Sequence, residues 1–162
     1  MAINRNIVCL LSLVDDVEKF NQLISNALKI ETIDIFTDDC KYNKRSLKKN
    51  DFNNNKKKKT NETAGLEQCL KVGNGSRVML RRNLNMEKRL VNGALGIFTK
   101  IIKNEFNFVC GIEILFDNQK KPTGIDRFAA QFEIDKNVYI TRQKFPINLA
   151  WAFTIHKPQE VS

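Results

Sequence analysis

Asn92-Gly93-Ala94-Leu95-Gly96-Ile97-Phe98-Thr99-Lys100-Ile101-Ile102-Lys103-Asn104-Glu105-Phe106-Asn107-Phe108-Val109-Cys110-Gly111-Ile112-Glu113-Ile114-Leu115-Phe116 is the stretch whose patterning decides the fold. Asn-Gly is a strong short turn signal, because both residues tolerate positive φ. After it, Leu95, Ile97, Thr99 and Ile101 fall on one face of a strand. Phe106, Phe108, Cys110, Ile112, Ile114 and Phe116 then occupy alternate positions of a second strand, beyond a turn near Asn104. Working outward, Arg77-Val78-Met79-Leu80 reads as a preceding strand. Phe132, Ile134, Val138 and Ile140 repeat the alternation past turns around Lys120, Pro122 and Gly124 and around Asp135 to Asn137. Several short strands with one apolar face each predict a small antiparallel barrel over roughly residues 70–143.

The flanks read differently. Ile7 to Val14 is a continuous aliphatic run, as in a strand covered on both faces. From Asp15 to Lys29, Val17, Phe20, Leu23, Ile24, Ala27 and Leu28 recur at helical spacing, with two aspartates at the positive end of the dipole. Ile33 to Phe36 is a second strand. At the other end Phe145-Pro146-Ile147 closes a strand. Leu149 to Lys157 reads as a helix, from the four-residue pairs Leu149/Phe153 and Trp151/Ile155. An α/β start and finish thus flank a β insertion.

The chain has 162 residues and 42% hydrophobic content, enough for one ordinary domain or two small pieces sharing a core. No apolar run approaches the ~18 residues that span a bilayer, so no membrane partner is expected. A net charge of +9 suggests an acidic partner, but it is concentrated. Nine Lys and Arg against Asp51 fall between Lys41 and Lys59, which leaves the rest of the chain at about +1. Residues 41–61, rich in Lys and Asn with only Leu47 and Phe52 to bury, read as a flexible, solvated linker. Cys9, Cys40, Cys69 and Cys110 lack metal-ligand spacing and are expected as buried reduced thiols of a nuclear or cytosolic protein. Asp15-Asp16 directly after the first apolar run speak against a secretory signal.

No phosphate loop of the Gly-x-x-x-x-Gly-Lys-Ser/Thr kind is present, no nucleophile stands in a catalytic context, and His156 is the only histidine. No catalytic residue is therefore assigned, and the chain is not expected to act as a self-sufficient enzyme. Thr154 and Lys157 stand three apart beside His156, a hydroxyl and an ammonium suited to phosphate oxygens.

Here the residues carry a resemblance. Phe145-Pro146-Ile147-Asn148-Leu149-Ala150-Trp151-Ala152-Phe153-Thr154-Ile155-His156-Lys157-Pro158-Gln159 is similar to the fifth motif of the Pif/RecD-like DNA helicases, which carries Thr-Ile-His-Lys-Ser-Gln-Gly. Thr63-Ala64-Gly65-Leu66, Gly75 to Leu84 and Leu90-Val91-Asn92-Gly93-Ala94-Leu95-Gly96 resemble the same family's entry into its inserted β domain. The resemblance implies an α/β fold: a partial RecA-like second motor domain interrupted by a small SH3-like antiparallel β barrel. In that scheme residues 1–40 are motor domain 2A, 41–61 the linker, 62–143 the insert 2B, and 144–162 the return to 2A. It implies a C-terminal fragment of an ATP-dependent, 5′ to 3′ DNA helicase, whose ATP and magnesium are held by a first motor domain outside this chain. Single-stranded DNA and that missing N-terminal domain are the implied partners, and the nucleus the implied location.

Carried over by position, Thr154, His156, Lys157 and Gln159 belong to the surface that contacts the DNA strand and couples it to the nucleotide. Arg81, Arg82 and Asn83 are candidate phosphate contacts. The chain departs from the family pattern where Pro158 and Glu160 replace serine and glycine, where Asn74 enters Gly73-Asn74-Gly75, and where Arg89 stands at a turn position usually held by glycine. A non-enzymatic nucleic-acid-binding module and an inactive relic of a helicase gene are the alternative readings.

Overall fold

The computed structural model describes residues 8–43, 46–51, 69–135 and 138–154. These form thirteen strands and one helix. The chain is mostly β, with less helix than its flanks predict.

Cys9–Leu11 is β1, and Val14–Ala27 is the helix α1. The helix begins after Leu13 without a side-chain cap, its first turn carrying Asp15 and Asp16. It ends where Lys29 turns left-handed at φ 51° and the Ile30 N–H reaches back to the Ser25 carbonyl at 3.0 Å. The face that α1 turns inward carries the expected Val17, Phe20, Ile24 and Leu28, each half-buried, but its centre is polar. Asn21 and Ser25 are its buried residues, whereas Leu23 is 62% exposed. Ile33–Phe36 (β2) follows where expected and pairs antiparallel with Cys69–Val72 (β5).

The central element is a five-stranded antiparallel sheet. Its strands are Arg77–Leu80 (β6), Leu95–Lys103 (β7), Val109–Phe116 (β8), Thr123–Asp126 (β9) and Ile147–Leu149 (β12), in the order β12-β6-β7-β8-β9. β12 and β9 are its edges, so among the described residues no closed barrel is found. The core lies on one face, where Val78, Leu80, Phe98, Ile112, Ile114 and Phe116 meet Ile35 and Val72 from the β2–β5 pair.

The phase of β7 differs from the expectation that Leu95, Ile97, Thr99 and Ile101 share the buried face. Gly96 and Phe98 point inward, and Ile101, three residues after Phe98, joins the core. The pairing shows why: Phe98 opposes Ile114 and Ile101 opposes Ile112, with an irregularity after Phe98 that inserts one extra residue. Such a bulge exchanges the faces of a strand.

Asp38–Asn43 (β3) and Ser46–Asp51 (β4) form a hairpin that adds to Phe128–Asp135 (β10) and Val138–Lys144 (β11) in the order β10-β11-β3-β4. The described residues of the lysine-rich segment, 41–43 and 46–51, are thus strand, not flexible linker. The order of β3 comes with backbone pairing to β11. Residues 52–61 lie outside those described. Arg127, between β9 and β10, ties this sheet to the core. Its Nη1 donates to the carbonyls of Phe36 (2.9 Å) and Gln143 (3.2 Å), and its guanidinium lies 4.8 Å from the centre of the Phe145 ring. The expected burial of the thiols does not hold, since Cys110 is exposed and Cys9 and Cys69 are only half-buried.

At Gly96 the neighbouring strand allows no side chain. A Cβ there would lie 2.7 Å from Ile114 Cγ2 and 2.8 Å from the Leu115 carbonyl oxygen. Gly96→Ala is expected to destabilise the fold by about 1–3 kcal/mol, read as a lowered midpoint in denaturant at unchanged slope.

Candidate nucleic-acid interface

Ala152–Thr154 forms β13, parallel to β1, with Thr154 opposite Leu11. Between β12 and β13 the chain leaves the five-stranded sheet for the α1 corner, and each residue of the crossing is held by a different element. The Ala150 N–H donates to the Arg77 carbonyl at 2.8 Å, and the Trp151 carbonyl accepts from Cys9 N–H at 2.8 Å. The Asn21 carboxamide takes both polar groups of Ala152: its Oδ1 accepts from the Ala152 N–H at 2.9 Å, and its Nδ2 donates to the Ala152 carbonyl at 3.3 Å. An asparagine side chain here does the work of a neighbouring strand. The Ser25 hydroxyl in turn donates to the Asn21 carbonyl at 2.9 Å, within the same helix.

This geometry corrects the helix expected over Leu149–Lys157. Ala150, Trp151 and Ala152 are consecutive and all buried, which a one-faced surface helix does not allow and a strand covered on both sides does. Thr154 is half-buried at the end of β13. His156, Lys157 and Gln159, with Pro158 and Glu160, lie outside the described residues.

Arg81, Arg82 and Asn83 begin a loop that runs to Gly93. The Arg81 N–H donates to the Pro146 carbonyl at 2.8 Å, and the Gly93 N–H to the Leu80 carbonyl at 2.7 Å, which fixes the base. Asn83 is a structural partner within it: its Oδ1 accepts the Asn92 N–H at 2.7 Å. Asn85 and Leu90 form an antiparallel bridge, Leu90 is buried, and Asn85 Oδ1 accepts from Lys88 N–H at 2.9 Å. The loop is therefore a small hairpin with Met86, Glu87, Lys88 and Arg89 at its tip. Arg81 and Arg82 are exposed, and the Arg82 guanidinium lies 5.0 Å from the centre of the Phe128 ring, which limits its rotamer freedom.

Four cations, Arg81, Arg82, Lys88 and Arg89, thus stand on this loop against Glu87. Beside it runs an open groove of about 380 Å³ bordered by Arg89, Val91, Asn92, Leu95, Asp117 and Asn118. Below the groove Arg77, 3% exposed, meets the half-exposed Asp117 through two parallel hydrogen bonds, one of 2.6 Å from Nη1 to Oδ1 and one between Nη2 and Oδ2. The buried cation and its carboxylate lock the end of β8 to β6.

The structure brings Arg81, Arg82 and Asn83 together with Lys88 and Arg89, but not with Thr154. In the β6–β12 ladder Leu80 opposes Ile147 and Val78 opposes Leu149, so the loop leaves one end of the ladder and β13 the other. Lys88 belongs to no motif in the sequence, and Arg89 stands out there only as a departure from a turn glycine, not as a contact. The density of cations between 81 and 89 is the signal that finds them. Among the described residues no group of three or more His, Cys, Asp or Glu is placed to hold a metal ion, and no helix is long and apolar enough to cross a membrane.

Comparison with models of known protein families finds no match. Among curated proteins the chain is 34% identical over 110 residues to the ATP-dependent DNA helicase PIF1 of Xenopus laevis, an alignment covering 65% of this chain and 16% of that protein. It is 31% identical over 99 residues to human PIF1, covering 58% of this chain and 14% of that protein. Among solved structures, the Pif1 helicase of Candida albicans superposes with a TM-score of 0.68 at 19% identity, over 98% of this chain and 38% of that one. Unliganded Pif1 from Bacteroides sp. gives 0.63 at 24% identity, over 98% and 44%. Bacteroides Pif1 bound to single-stranded DNA gives 0.59 at 22% identity, over 100% and 34%. The fold is shared with segments of these structures. The resemblance read from the motifs holds in sequence as well: this chain is similar to Pif1, of whose curated members it spans about a sixth or less.

The turn at Arg89 is strained. Its φ of 55° is left-handed, a region that costs a residue with a Cβ about 1–2 kcal/mol. Arg89→Gly is expected to raise stability by about 0.5–1 kcal/mol, after the greater unfolded-state freedom of glycine is offset, measured by chemical denaturation.

Proposed function

We propose that this chain supplies single-stranded DNA contacts to an ATP-dependent helicase motor of the Pif1 kind. The observation that carries the reading is sequence similarity to PIF1 helicases over about 100 residues, in a chain that also bears the Thr154-Ile155-His156-Lys157 motif. The basic loop supports it. Cations and backbone held on a small rigid hairpin suit a sugar-phosphate chain gripped without regard to base sequence, as a translocating motor requires.

On this reading residues 62–143 are an SH3-like insert in the second motor domain, and residues 1–40 and 144–162 are parts of that domain. ATP and magnesium belong to a first motor domain of the parent, the chain's protein partner. Unwinding in the 5′ to 3′ direction is the parent's activity, and its setting the nucleus. Thr154, His156, Lys157 and Gln159 are the motif contacts, and Arg81 and Arg82, joined by Lys88 and Arg89, are the loop contacts. Asn83, engaged with Asn92, is assigned to holding the loop.

The test is the salt dependence of binding to a labelled single strand by fluorescence anisotropy. The logarithm of affinity should fall linearly with the logarithm of salt concentration. Arg81→Ala with Arg82→Ala should flatten that slope by about 1.4, from roughly 0.7 per phosphate contact. Lys157→Ala should weaken binding, and replacing Lys48, Lys49 and Lys56 to Lys59 by Gln, which keeps the backbone of β3 and β4, should leave most of it. The reverse ranking would instead identify a simple polycationic binding module.

A further inference from the structure

The β7–β8 hairpin runs past its neighbours. Its two strands pair from Gly96 opposite Phe116 out to Lys103 opposite Val109, whereas β9 accompanies β8 only as far as Gly111 opposite Asp126. The ladder slips at Cys110, an extra residue on β8, so that Val109 packs against the core and the side chains of Phe106 and Phe108 are left outside it. Cys110 is exposed, Phe108 is 71% exposed and Phe106 77%.

These rings sit on a built turn. Asn104 Oδ1 accepts the N–H groups of both Phe106 and Phe108, each at 3.0 Å. The Asn104 N–H donates to the Phe108 carbonyl at 2.9 Å, and the Asn107 N–H to the Asn104 carbonyl at 3.0 Å. Asn107 takes the left-handed conformation (φ 64°) that asparagine tolerates. Lys103 Nζ donates to Asn107 Oδ1 at 2.9 Å, which keeps an ammonium beside the rings; Glu105 is the acidic group of the turn. Little backbone freedom is left to lose when the tip meets a ligand.

The chemistry favours one class of partner. The core of a protein interface is a contiguous, well-packed apolar patch. Here Glu105 and Asn107 interrupt the two phenyls in sequence, and the turn is polar apart from them. Exposed aromatic faces with a cation held nearby, here Lys103, are the elements with which proteins hold unpaired bases.

We propose that Phe106 and Phe108 form a stacking contact for bases of single-stranded nucleic acid, at a site distinct from the backbone contacts of the basic loop and the motif. The proposal rests on the reading that this chain lies along a single strand.

The experiment uses the full chain and two labelled probes of equal length, an oligothymidine and a strand of abasic sites carrying the same phosphates. Wild type should bind oligothymidine at least about fivefold more tightly than the abasic strand. Phe106→Ala with Phe108→Ala should reduce oligothymidine affinity to the abasic level and leave the salt slope unchanged, because no phosphate contact is lost. Fluorescence of Trp151, the only tryptophan, verifies that the variant is folded. Equal binding of both probes by wild type would overturn the proposal, and so would an unaltered variant. Unaltered DNA binding with a dimer that only wild type forms would overturn it in favour of self-association. The two readings separate cleanly. Loss through the phenyl pair with no slope change in the Arg81/Arg82 variant removes the backbone contacts alone, and the converse removes stacking alone.

Discussion

Three consecutive peptide units, at Ala150, Trp151 and Ala152, hold the described parts of this chain together. Each is buried, and each directs its hydrogen bonds to a different element: Arg77 in β6, Cys9 in β1 and the side chain of Asn21 in α1. A buried peptide group without a partner costs about 1–3 kcal/mol, so the crossing has little freedom to shift unless several bonds break together. The strand-rich body and the α1 corner are coupled through it. Thr154 inherits its position from both, and the proposed DNA-contacting motif begins on a strand fixed by elements about 130 residues away in sequence.

The same economy appears at the basic loop. Its base is pinned by backbone bonds to Pro146 and Leu80, its middle by Asn83 and Asn85, and the Arg77–Asp117 pair anchors the sheet beneath. Cations presented in this way lose less entropy on meeting a phosphate chain than those of a free lysine tract. That contrast separates the proposed reading from one built on the Lys41–Lys59 run, which carries more charge. Part of that run belongs to β3 and β4, so it is not a free arm throughout.

Much of the fold was legible, and the failures have physical causes. α1 and β2 were readable because a helical period and a short β-branched run are local signals. The hairpin at 92–116 was readable as two strands, but the bulge after Phe98 was not. An extra residue leaves composition untouched while exchanging faces, and only the partner strand reveals it. At Leu149 to Thr154 side chains buried on all sides erase the periodicity that distinguishes helix from strand. The alternation through Phe106, Phe108 and Cys110 does not hold as one strand face: β8 begins at Val109, an extra residue at Cys110 exchanges the faces, and both phenyls fall in the turn, a slip that only the partner strand reveals. Of the site residues, Arg81 and Arg82 emerge exposed as a binding role requires, and Asn83 turns out to be engaged within the loop. Lys88 and Arg89 lie outside the motif positions, and the local density of positive charge is what marks them as contacts.

The central claim is that a single DNA strand meets the chain at the 81–93 loop and at the motif from Thr154. Photo-crosslinking of a 4-thiothymidine-substituted single strand to the intact chain, with attachment sites mapped by mass spectrometry, tests it most directly. Adducts within residues 81–93 and 154–159 are expected. Adducts confined to the Lys41–Lys59 run would contradict the account and leave charge alone as the basis of binding.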